Sequence, residues 1–330
     1  MSDSLKNYYL ENGYAIFESV ISDKKIDRIL IELNRFKESN KIYYSQSEHN
    51  WRKIKKDLDK NGLLECSFEN FTDLPWGKGL SQAGRDILQS EEILLALRTL
   101  SDYKDFCMWQ NMFFDKSTGT IDHIDTWYLD TDPMGYLFGA WVALEDIDGK
   151  GGVFHVYPKS HLSQNKNWKN ISHEEFITWS EQQAKNYKKK SLFLKKGDLL
   201  LWHPSLIHGS SLQQSQGFSR KSLTAHYYPI NFLRGANWTN KIVIADEAQN
   251  FTFKELTTLM TRLGEGSQLF ICGDYMQSDI NGKSGFRPMF DLFNDEQSRD
   301  NGIQCFSFGL EDIKRSKILT YIIKKLSKPN

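Results

Sequence analysis

Short apolar runs separated by glycine-containing turns fill the chain between residues 106 and 228, and no other feature constrains its fold as strongly. Gly151-Gly152 and Gly197-Asp198 mark two of the turns. Several short strands at close spacing are typical of an antiparallel barrel or a jelly roll. Helical periodicity precedes them, in a helix opened by Ser22 and in a helix over residues 80–100. Ser172 and Glu175 predict a further capped helix that runs to about residue 187 as an insertion between strands. The sequence therefore predicts a mainly β jelly roll with flanking helices that brace its outside.

A histidine and an aspartate separated by one residue, His123 and Asp125, stand within this region. In an extended strand this spacing puts both side chains on one face. An imidazole and a carboxylate that converge are two parts of the facial triad that holds Fe(II) and leaves coordination positions open. The third ligand should be a histidine from a distant strand, and His208 is the better candidate. His203 is the rival, but it precedes Pro204 and lacks the Gly-Ser that follows His208.

The composition argues against several other classes of protein. The 330 residues carry 42 basic and 42 acidic side chains, so no general nucleic-acid binding is indicated. The four cysteines form no CxxC pair, which argues against a zinc site and a disulfide framework. The N-terminal residues lack an apolar signal segment, and no apolar run is long enough to span a bilayer. We expect a soluble cytoplasmic protein that does not enter a membrane.

Six elements follow one another in a fixed order along this part of the chain. They are His123-Ile124-Asp125, Trp141, Pro158-Lys159-Ser160-His161, Gly197-Asp198, His208-Gly209-Ser210 and Arg220. With this order, residues of about 8–229 resemble the phytanoyl-CoA dioxygenase family of Fe(II)/2-oxoglutarate oxygenases. One element departs from the family pattern, because Lys159 stands where the turn usually has glycine. The departure touches none of the candidate ligands.

The resemblance implies a double-stranded β-helix fold with an iron site inside it. His123, Asp125 and His208 would bind Fe(II). Related halogenases replace the aspartate with a small residue so that chloride can take its place. Because Asp125 is present here, the resemblance implies hydroxylation and not halogenation.

The resemblance also implies a site for the co-substrate 2-oxoglutarate. Arg220 would pair with the distal carboxylate, since bidentate recognition of a carboxylate suits arginine better than lysine. Ser210 and Trp141 match positions that line the co-substrate pocket. The implied reaction uses O₂ to hydroxylate a small organic substrate, and it releases succinate and CO₂. The sequence does not identify that substrate.

The chain changes character after Tyr228. An apolar strand over residues 241–245 ends in Asp246-Glu247, the form of a Walker B element, whose aspartate reaches Mg²⁺ while a neighbouring acid orients water. Thr252 and Glu255 predict a capped helix, and residues 268–272 predict a second strand of the buried type. This part resembles the C-terminal half of the phosphate-starvation PhoH-like ATPases, through the runs Phe232-Leu233-Arg234-Gly235, Asp246-Glu247-Ala248-Gln249-Asn250, Thr261-Arg262-Leu263-Gly264, Cys272-Gly273-Asp274 and Asp312-Ile313-Lys314-Arg315.

The half of such an ATPase that holds the phosphates is absent from this sequence. A P-loop needs G-x-x-x-x-G-K-[ST], and Gly282-Lys283-Ser284 has Gln277 where the first glycine belongs. We therefore expect a dioxygenase domain at 1–229 and a truncated α/β P-loop-NTPase-like module at 230–330 that is inactive as an ATPase. Recombination in a phage or plasmid would explain such a fusion.

One further expectation concerns the second part of the chain, and one competing hypothesis concerns the whole protein. Half of a parallel sheet leaves an open edge and an apolar face, which should be covered by the oxygenase domain, by a partner or by another copy of the chain. The competing hypothesis for the whole protein is a nucleotide- or nucleic-acid-associated module in which the jelly roll is only a scaffold. The triad favours the oxygenase, and the absent P-loop argues against the alternative.

Overall fold

The computed structural model describes residues 2–39, 44–47, 50–53, 57–73, 78–131, 133–163, 171–213, 217–230, 238–280, 282–309 and 312. The chain divides into two compact units, Met1–Thr239 and Asn240–Asn330. The sequence places its domain boundary slightly earlier, at 229/230. The runs 232–235 and 313–315 lie outside the described residues.

Four helices of the first unit pack on one face of its main sheet. The helix expected over residues 80–100 is in fact two helices, because the backbone is extended at Ser90 (φ −80°, ψ 154°). Glu91 and Glu92 then begin a new first turn, where acidic side chains interact favourably with the helix dipole. The sequence pattern did not indicate the first helix. The helices are α1 (Ser2–Asn12), α2 (Asp23–Glu38), α3 (Lys78–Leu88), α4 (Glu91–Leu100) and, between two later strands, α5 (His173–Ala184).

Two antiparallel sheets form the jelly roll of the first unit. The strands of this unit are β1 (Tyr14–Phe17), β2 (Tyr44–Ser47), β3 (Asn50–Lys53), β4 (Phe68–Glu69), β5 (Phe106–Phe114), β6 (Phe138–Ala143), β7 (Phe154–Val156), β8 (Lys190–Leu192), β9 (Leu199–Trp202), β10 (His208–Ser210) and β11 (Ser222–Pro229). The main sheet has six strands in the order β1-β9-β6-β11-β5-β4, and the smaller sheet has the order β10-β7-β8. A separate hairpin pairs β2 with β3.

The central strands of the main sheet, β9, β6 and β11, are buried on both of their faces. One face meets the helices, where Leu201 and Val142 join a core with Ile29. The other face meets the small sheet, where Trp141 and Trp202 join a second core that includes strands β7 and β8. Because every residue of β6 and β9 is buried, these strands read as continuous apolar runs instead of alternating ones.

The turn after β7 carries the residue that departs from the family pattern. Lys159 has φ +71° and ψ −4°, in the left-handed region that glycine occupies without a steric penalty. The turn therefore keeps the geometry that a glycine would adopt. After it, Ser172 and Glu175 form the capping box expected for α5, with Ser172 Oγ accepting a hydrogen bond from the Glu175 N–H.

The described part of the second unit contains a pair of parallel strands and three short α-helices. Its capping box is present as expected, with the Thr252 side chain accepting a hydrogen bond from the Glu255 N–H. The elements are β12 (Ile242–Ala245), α6 (Phe253–Met260), β13 (Gln268–Ile271), α7 (Phe286–Phe293) and α8 (Glu296–Asp300). Only β12 and β13 pair with each other among the described residues of this unit.

One face of this strand pair is open to solvent, so the expectation of buried strands is wrong for that face. Ile242 is 71% exposed, Ile244 is 67% exposed, and Phe270 on β13 is 49% exposed. The physical reason is that two strands with helices on one side cannot bury both faces of a sheet. Among the described residues of either unit, no helix combines the length and apolar character needed to cross a bilayer.

Candidate metal centre

The segment that carries His123 and Asp125 is extended, but it is not a regular strand. His123 and His208 form a single antiparallel bridge, in which each backbone N–H donates to the other residue's carbonyl at 2.9 Å. Ile124 between the two candidate ligands is extended, with φ −115° and ψ 142°. A 3-10 turn, Asp125–Trp127, then begins at Asp125. The strand expected around these residues is therefore limited to one bridge, which nevertheless aligns the ligand-bearing segments.

Three side chains meet at this bridge. One ligand atom each from His123, Asp125 and His208 lies within 4.8 Å of the other two. Asp125 Oδ1 is 3.6 Å from His123 Nε2 and 3.7 Å from His208 Nε2, which is within the span of two metal–ligand bonds of about 2.1 Å each. Asp125 and His208 are each 4% exposed. The rival His203 is not part of this cluster, and its Nδ1 accepts a hydrogen bond from the Ser205 N–H at 3.1 Å.

Backbone contacts set the tautomer of both histidines. His123 Nδ1 lies 2.8 Å from the Ile121 carbonyl, and His208 Nδ1 lies 3.0 Å from the Leu206 carbonyl. A carbonyl only accepts, so Nδ1 carries the proton in each ring and Nε2 keeps its lone pair. Both Nε2 atoms face Asp125 Oδ1. Hydrogen bonds of this kind orient metal-binding imidazoles and raise their basicity.

The charges of the site favour a cation at its centre. Burial opposes ionisation of Asp125, but the imidazoles of His208 and His226 hold the pKa of Asp125 well below its usual range. Burial also lowers the pKa of His208 to about 4, so this ring is neutral at physiological pH. Burial acts in the same direction on His123, but the Asp125 carboxylate outweighs it and raises the pKa of His123. An ionised carboxylate between two imidazoles is a donor set that suits Fe(II).

The second oxygen of Asp125 has contacts that sequence reasoning missed. Trp202 Nε1 donates a hydrogen bond to Asp125 Oδ2 at 2.7 Å, and His226 Nε2 is 3.4 Å from the same oxygen. The sequence indicates His226 only as a packing or hydrogen-bonded residue. Among the described residues, neither nitrogen of His226 has a hydrogen-bond partner, and the side chain is 3% exposed.

A glycine makes room for the indole of Trp202. Gly139 lies directly opposite Trp202 in the pairing of β6 with β9. A Cβ atom at Gly139 would meet Trp202 Cε2 at 2.1 Å and Nε1 at 2.5 Å. A glycine inside a strand often marks such a close approach, and this was the available signal.

The three residues expected to hold the co-substrate lie beside the triad. Arg220, Ser210 and Trp141 line the same small cavity of about 70 Å³ as His123, Asp125 and His208. Arg220 is 2% exposed, and its Nε and Nη1 have no hydrogen-bond partner among the described residues. Its guanidinium carbon lies 5.8 Å from the centres of the Phe114 and Trp141 rings.

Arg220 is the residue here that most clearly calls for a ligand. Burial lowers the pKa of Arg220 to about 10, so the guanidinium is still charged at neutral pH. A buried charge without a partner is strongly unfavourable, and an anion in the cavity would relieve it. Ser210 Oγ accepts a hydrogen bond from the Thr120 N–H at 3.0 Å, which leaves its own proton free to donate. These donors fit a carboxylate.

Asp122 supports the segment from its other side. His155 Nε2 lies 2.5 Å from Asp122 Oδ1, and Tyr157 Oη donates to Asp122 Oδ2 at 2.6 Å. Asp122 therefore takes no part in the triad, as its alternation with His123 indicates. Its contacts tie the candidate metal segment to β7 and to the residue that follows it.

Two family profiles match the chain. The profile described as phytanoyl-CoA dioxygenase (PhyH) matches residues 9–222, and the profile described as PhoH-like protein matches residues 213–327. The peroxisomal phytanoyl-CoA dioxygenase of Bos taurus is 24% identical over 283 residues, which cover 76% of this chain and 77% of the relative. That of Homo sapiens is 31% identical over 242 residues, which cover 67% of each chain. The PhoH-like protein of Synechocystis sp. is 33% identical over 98 residues, only 29% of its length.

Solved structures with the same fold include two enzymes of nogalamycin biosynthesis. The epimerase SnoN, crystallised with Fe³⁺, alpha ketoglutarate and nogalamycin RO, has a TM-score of 0.52 and 16% identity, over 70% of this chain and 84% of its own. The carbocyclase SnoK has a TM-score of 0.52 and 15% identity, over 70% and 85%. At these identities the likeness concerns the fold, and it confirms the predicted jelly roll.

Proposed function

The chain belongs to the phytanoyl-CoA dioxygenase (PhyH) family, and we propose that it is an Fe(II)- and 2-oxoglutarate-dependent dioxygenase that hydroxylates a small organic substrate. The observation that carries this proposal is the presence, in one small cavity, of the three converging ligand atoms and of the buried Arg220, whose Nε and Nη1 have no hydrogen-bond partner among the described residues. The triad accounts for the metal, and Arg220 accounts for an anionic co-substrate.

Each site residue has a role that follows from its contacts. His123, Asp125 and His208 would hold Fe(II), because their free Nε2 and Oδ1 atoms converge. Arg220 would bind and orient the distal carboxylate of 2-oxoglutarate through its unpartnered N–H groups, and Ser210 would add a hydroxyl donor. When bound, the iron supplies the oxidative decarboxylation of 2-oxoglutarate by O₂ to succinate and CO₂, together with oxidation of a substrate C–H bond.

Aromatic rings keep this chemistry away from bulk water. Phe154 stacks on His208 with their ring centres 5.5 Å apart and an interplanar angle of 11°. Trp141, a further proposed contact of the co-substrate, and Trp202 are each 1% exposed in the wall of the same cavity. The burial of Arg220 and Asp125 strengthens their electrostatic contacts, because water screens them less. Because Asp125 supplies a carboxylate ligand, we propose a hydroxylated and not a chlorinated product.

The test is formation of succinate from 2-oxoglutarate, with Fe(II) added under controlled O₂. We expect turnover that requires both, and loss of metal binding and turnover in His208→Ala. The matched control is His203→Ala, which removes a nearby histidine from outside the cluster and should retain both. Turnover in His208→Ala together with its loss in His203→Ala would overturn the assignment of the distal ligand.

A wild-type protein that neither binds a divalent metal nor consumes 2-oxoglutarate would overturn the function itself. Chlorinated product by mass spectrometry would overturn hydroxylation.

We also propose that the oxygenase domain covers residues 1–229 and that residues 230–330 form a PhoH-like module that does not hydrolyse ATP. Support comes from the PhoH-like match, which covers only 29% of the length of the Synechocystis relative, and from the missing P-loop motif. Asp246 and Glu247 are exposed after the end of β12. Gln249 links Glu247 to the segment that follows β13, because it donates to Glu247 Oε2 at 2.5 Å and accepts from the Asp274 N–H at 3.0 Å. The proposal therefore rests on Walker B-like acids in a sequence that carries no P-loop motif.

The environment of the protein belongs to the same proposal. All four cysteines are free thiols, which supports a reducing, cytoplasmic location. The open face of β12 and β13 supports association of the second module with a partner or with another copy of the chain. Light scattering of the full chain and of Ile244→Glu tests this association, because a charge on that face should lower the measured mass. An unchanged monomer in both would contradict association between copies of the chain.

A further inference from the structure

The two oxygens of Asp125 face different groups. Oδ1 faces the Nε2 atoms of His123 and His208, at 3.6 and 3.7 Å. Oδ2 faces away from them, toward Trp202 Nε1 at 2.7 Å and His226 Nε2 at 3.4 Å. The carboxylate therefore presents one oxygen to the metal position while the other is held by different side chains.

Trp202 can act only as a donor at this place. An indole N–H has no acceptor role, so the contact persists only while Oδ2 stays turned toward it. The ring itself is fixed, because Trp202 is 1% exposed, has Phe154 at 5.3 Å between ring centres and lies over Gly139, whose missing Cβ leaves its space. A fixed donor on a buried carboxylate restricts rotation of that carboxylate.

His226 closes the remaining side of Oδ2. Its ring lies at 82° to that of Trp202, with centres 6.0 Å apart, and both of its nitrogens lack hydrogen-bond partners among the described residues. A buried polar atom without a partner calls for an explanation, and a ligand-dependent contact supplies one. His226 Nε2 lies 3.4 Å from Oδ2, close enough to interact with it, but the ring is not oriented to form a hydrogen bond.

We propose that Trp202 and His226 are positioning residues that clamp Asp125 Oδ2, so that Asp125 binds the metal through Oδ1 alone and a coordination position stays open. The inference rests on the proposed function, because it assigns a role toward the iron of that site. A carboxylate free to turn could bind through both oxygens and fill the position that the co-substrates need. Gly139 contributes to the same arrangement, because its missing side chain leaves room for the Trp202 indole beside Asp125.

Metal affinity, measured without turnover, tests the clamp. Anaerobic calorimetry with Mn²⁺ and no 2-oxoglutarate compares wild type with Trp202→Phe, which removes the N–H but keeps an aromatic ring. Loss of an outer contact to a metal ligand typically weakens binding about 10–100-fold, and we expect a loss in this range. Trp179→Phe is the matched control, because the buried indole N–H of Trp179 on α5 has no hydrogen-bond partner among the described residues and its side chain does not line the metal cavity. It should bind Mn²⁺ within about twofold of wild type, less than the tenfold lower limit of the clamp effect.

Two further variants separate positioning from packing. His226→Phe should weaken Mn²⁺ binding and broaden the Mn²⁺ electron paramagnetic resonance signal, while His226→Gln, which keeps a donor, should restore both. Gly139→Ala should reproduce the loss seen in Trp202→Phe by pushing the indole away. In the Trp202→Phe background, the same alanine should add little, because the contact is already gone.

The outcomes distinguish the clamp from the function on which it rests. If wild type binds no Mn²⁺, the metal site itself fails. If wild type binds Mn²⁺ and Trp202→Phe binds equally well, the clamp is overturned while the oxygenase assignment stands. Equal losses in Trp179→Phe and Trp202→Phe would also overturn it, since the loss of any buried indole would then explain both. Failure of His226→Gln to restore what His226→Phe loses would remove His226 from the clamp.

Discussion

Replacing Arg220 by methionine should stabilise the ligand-free protein while it weakens 2-oxoglutarate binding. Arg220 is 2% exposed, and two of its nitrogens have no partner among the described residues. Methionine keeps an unbranched side chain of similar shape and removes the charge. Replacing a buried charge with a well-packed apolar group is often neutral or stabilising by about 1–4 kcal/mol.

The size of the effect follows from the surroundings of the guanidinium. Burial lowers the pKa of Arg220 from 12.5 to about 10. This shift means that folding destabilises the charged guanidinium by roughly 3 kcal/mol relative to its neutral form. Contacts with the Phe114 and Trp141 rings return about 0.5–2 kcal/mol, and Arg220→Met loses them. The difference is a net gain of about 1–2.5 kcal/mol, or roughly 2–10 °C in Tm for a unit of this size.

Binding of 2-oxoglutarate should change in the opposite direction. A hydrogen-bonded contact to a charged group contributes about 1.5–3 kcal/mol, so Arg220→Met should raise the Kd of 2-oxoglutarate roughly 10- to 150-fold. Mn²⁺ affinity should be unchanged, because Arg220 contacts none of the three ligands. Thermal unfolding without 2-oxoglutarate and anaerobic calorimetry with it measure the two effects.

Lys221→Met is the control for removing a neighbouring cation. Lys221 Nζ already has a partner, Glu145 Oε2 at 3.1 Å, so this variant should lose up to about 1 kcal/mol and bind 2-oxoglutarate normally. The reasoning is refuted if Arg220→Met unfolds at a lower temperature than wild type while its affinity for 2-oxoglutarate is unaltered. That result would mean that another group already neutralises Arg220.

Three other predictions concern acid stability, a turn and the second module. Burial and the neighbouring His161 lower the pKa of His203 to about 3, below its ordinary 6.5. The contribution of the neutral His203 to the free energy of unfolding is therefore fully present above pH 6.5 and is lost as the pH falls toward 3. In urea unfolding of metal-free protein, wild type should thus lose stability on acidification more steeply than His203→Asn, by up to about 1.4 kcal/mol per pH unit, whereas parallel profiles would count against this. Lys159→Gly should raise the unfolding free energy by about 0.5–1 kcal/mol by relieving the left-handed backbone, and a destabilised variant would show that the Glu11 ion pair matters more. The purified chain should show no Mg²⁺-dependent ATPase activity, and activity that disappears in Glu247→Gln would defeat the prediction of an inactive module.

The sequence predicted the fold of the first unit well because its signals are local. The short apolar runs at β6 and β9 and the capping box at Ser172 each arise from neighbouring residues and were found where expected. The same reasoning missed α1 and joined α3 to α4, since periodicity alone does not show where a chain leaves helical geometry. For β12 it predicted burial from apolar composition, but burial depends on what covers a strand.

The candidate site shows the same division between local and tertiary information. The sequence by itself determined which residue types were available for iron and 2-oxoglutarate, because His-x-Asp spacing and a His-Gly-Ser run are local patterns. Only the tertiary structure brought His208 and not His203 to Asp125, through one backbone bridge to His123. It alone placed Trp202 on Asp125, across 77 residues, and gave it room over Gly139. Such contacts depend on which strands pair and in what register, and no single stretch of this sequence specifies that pairing.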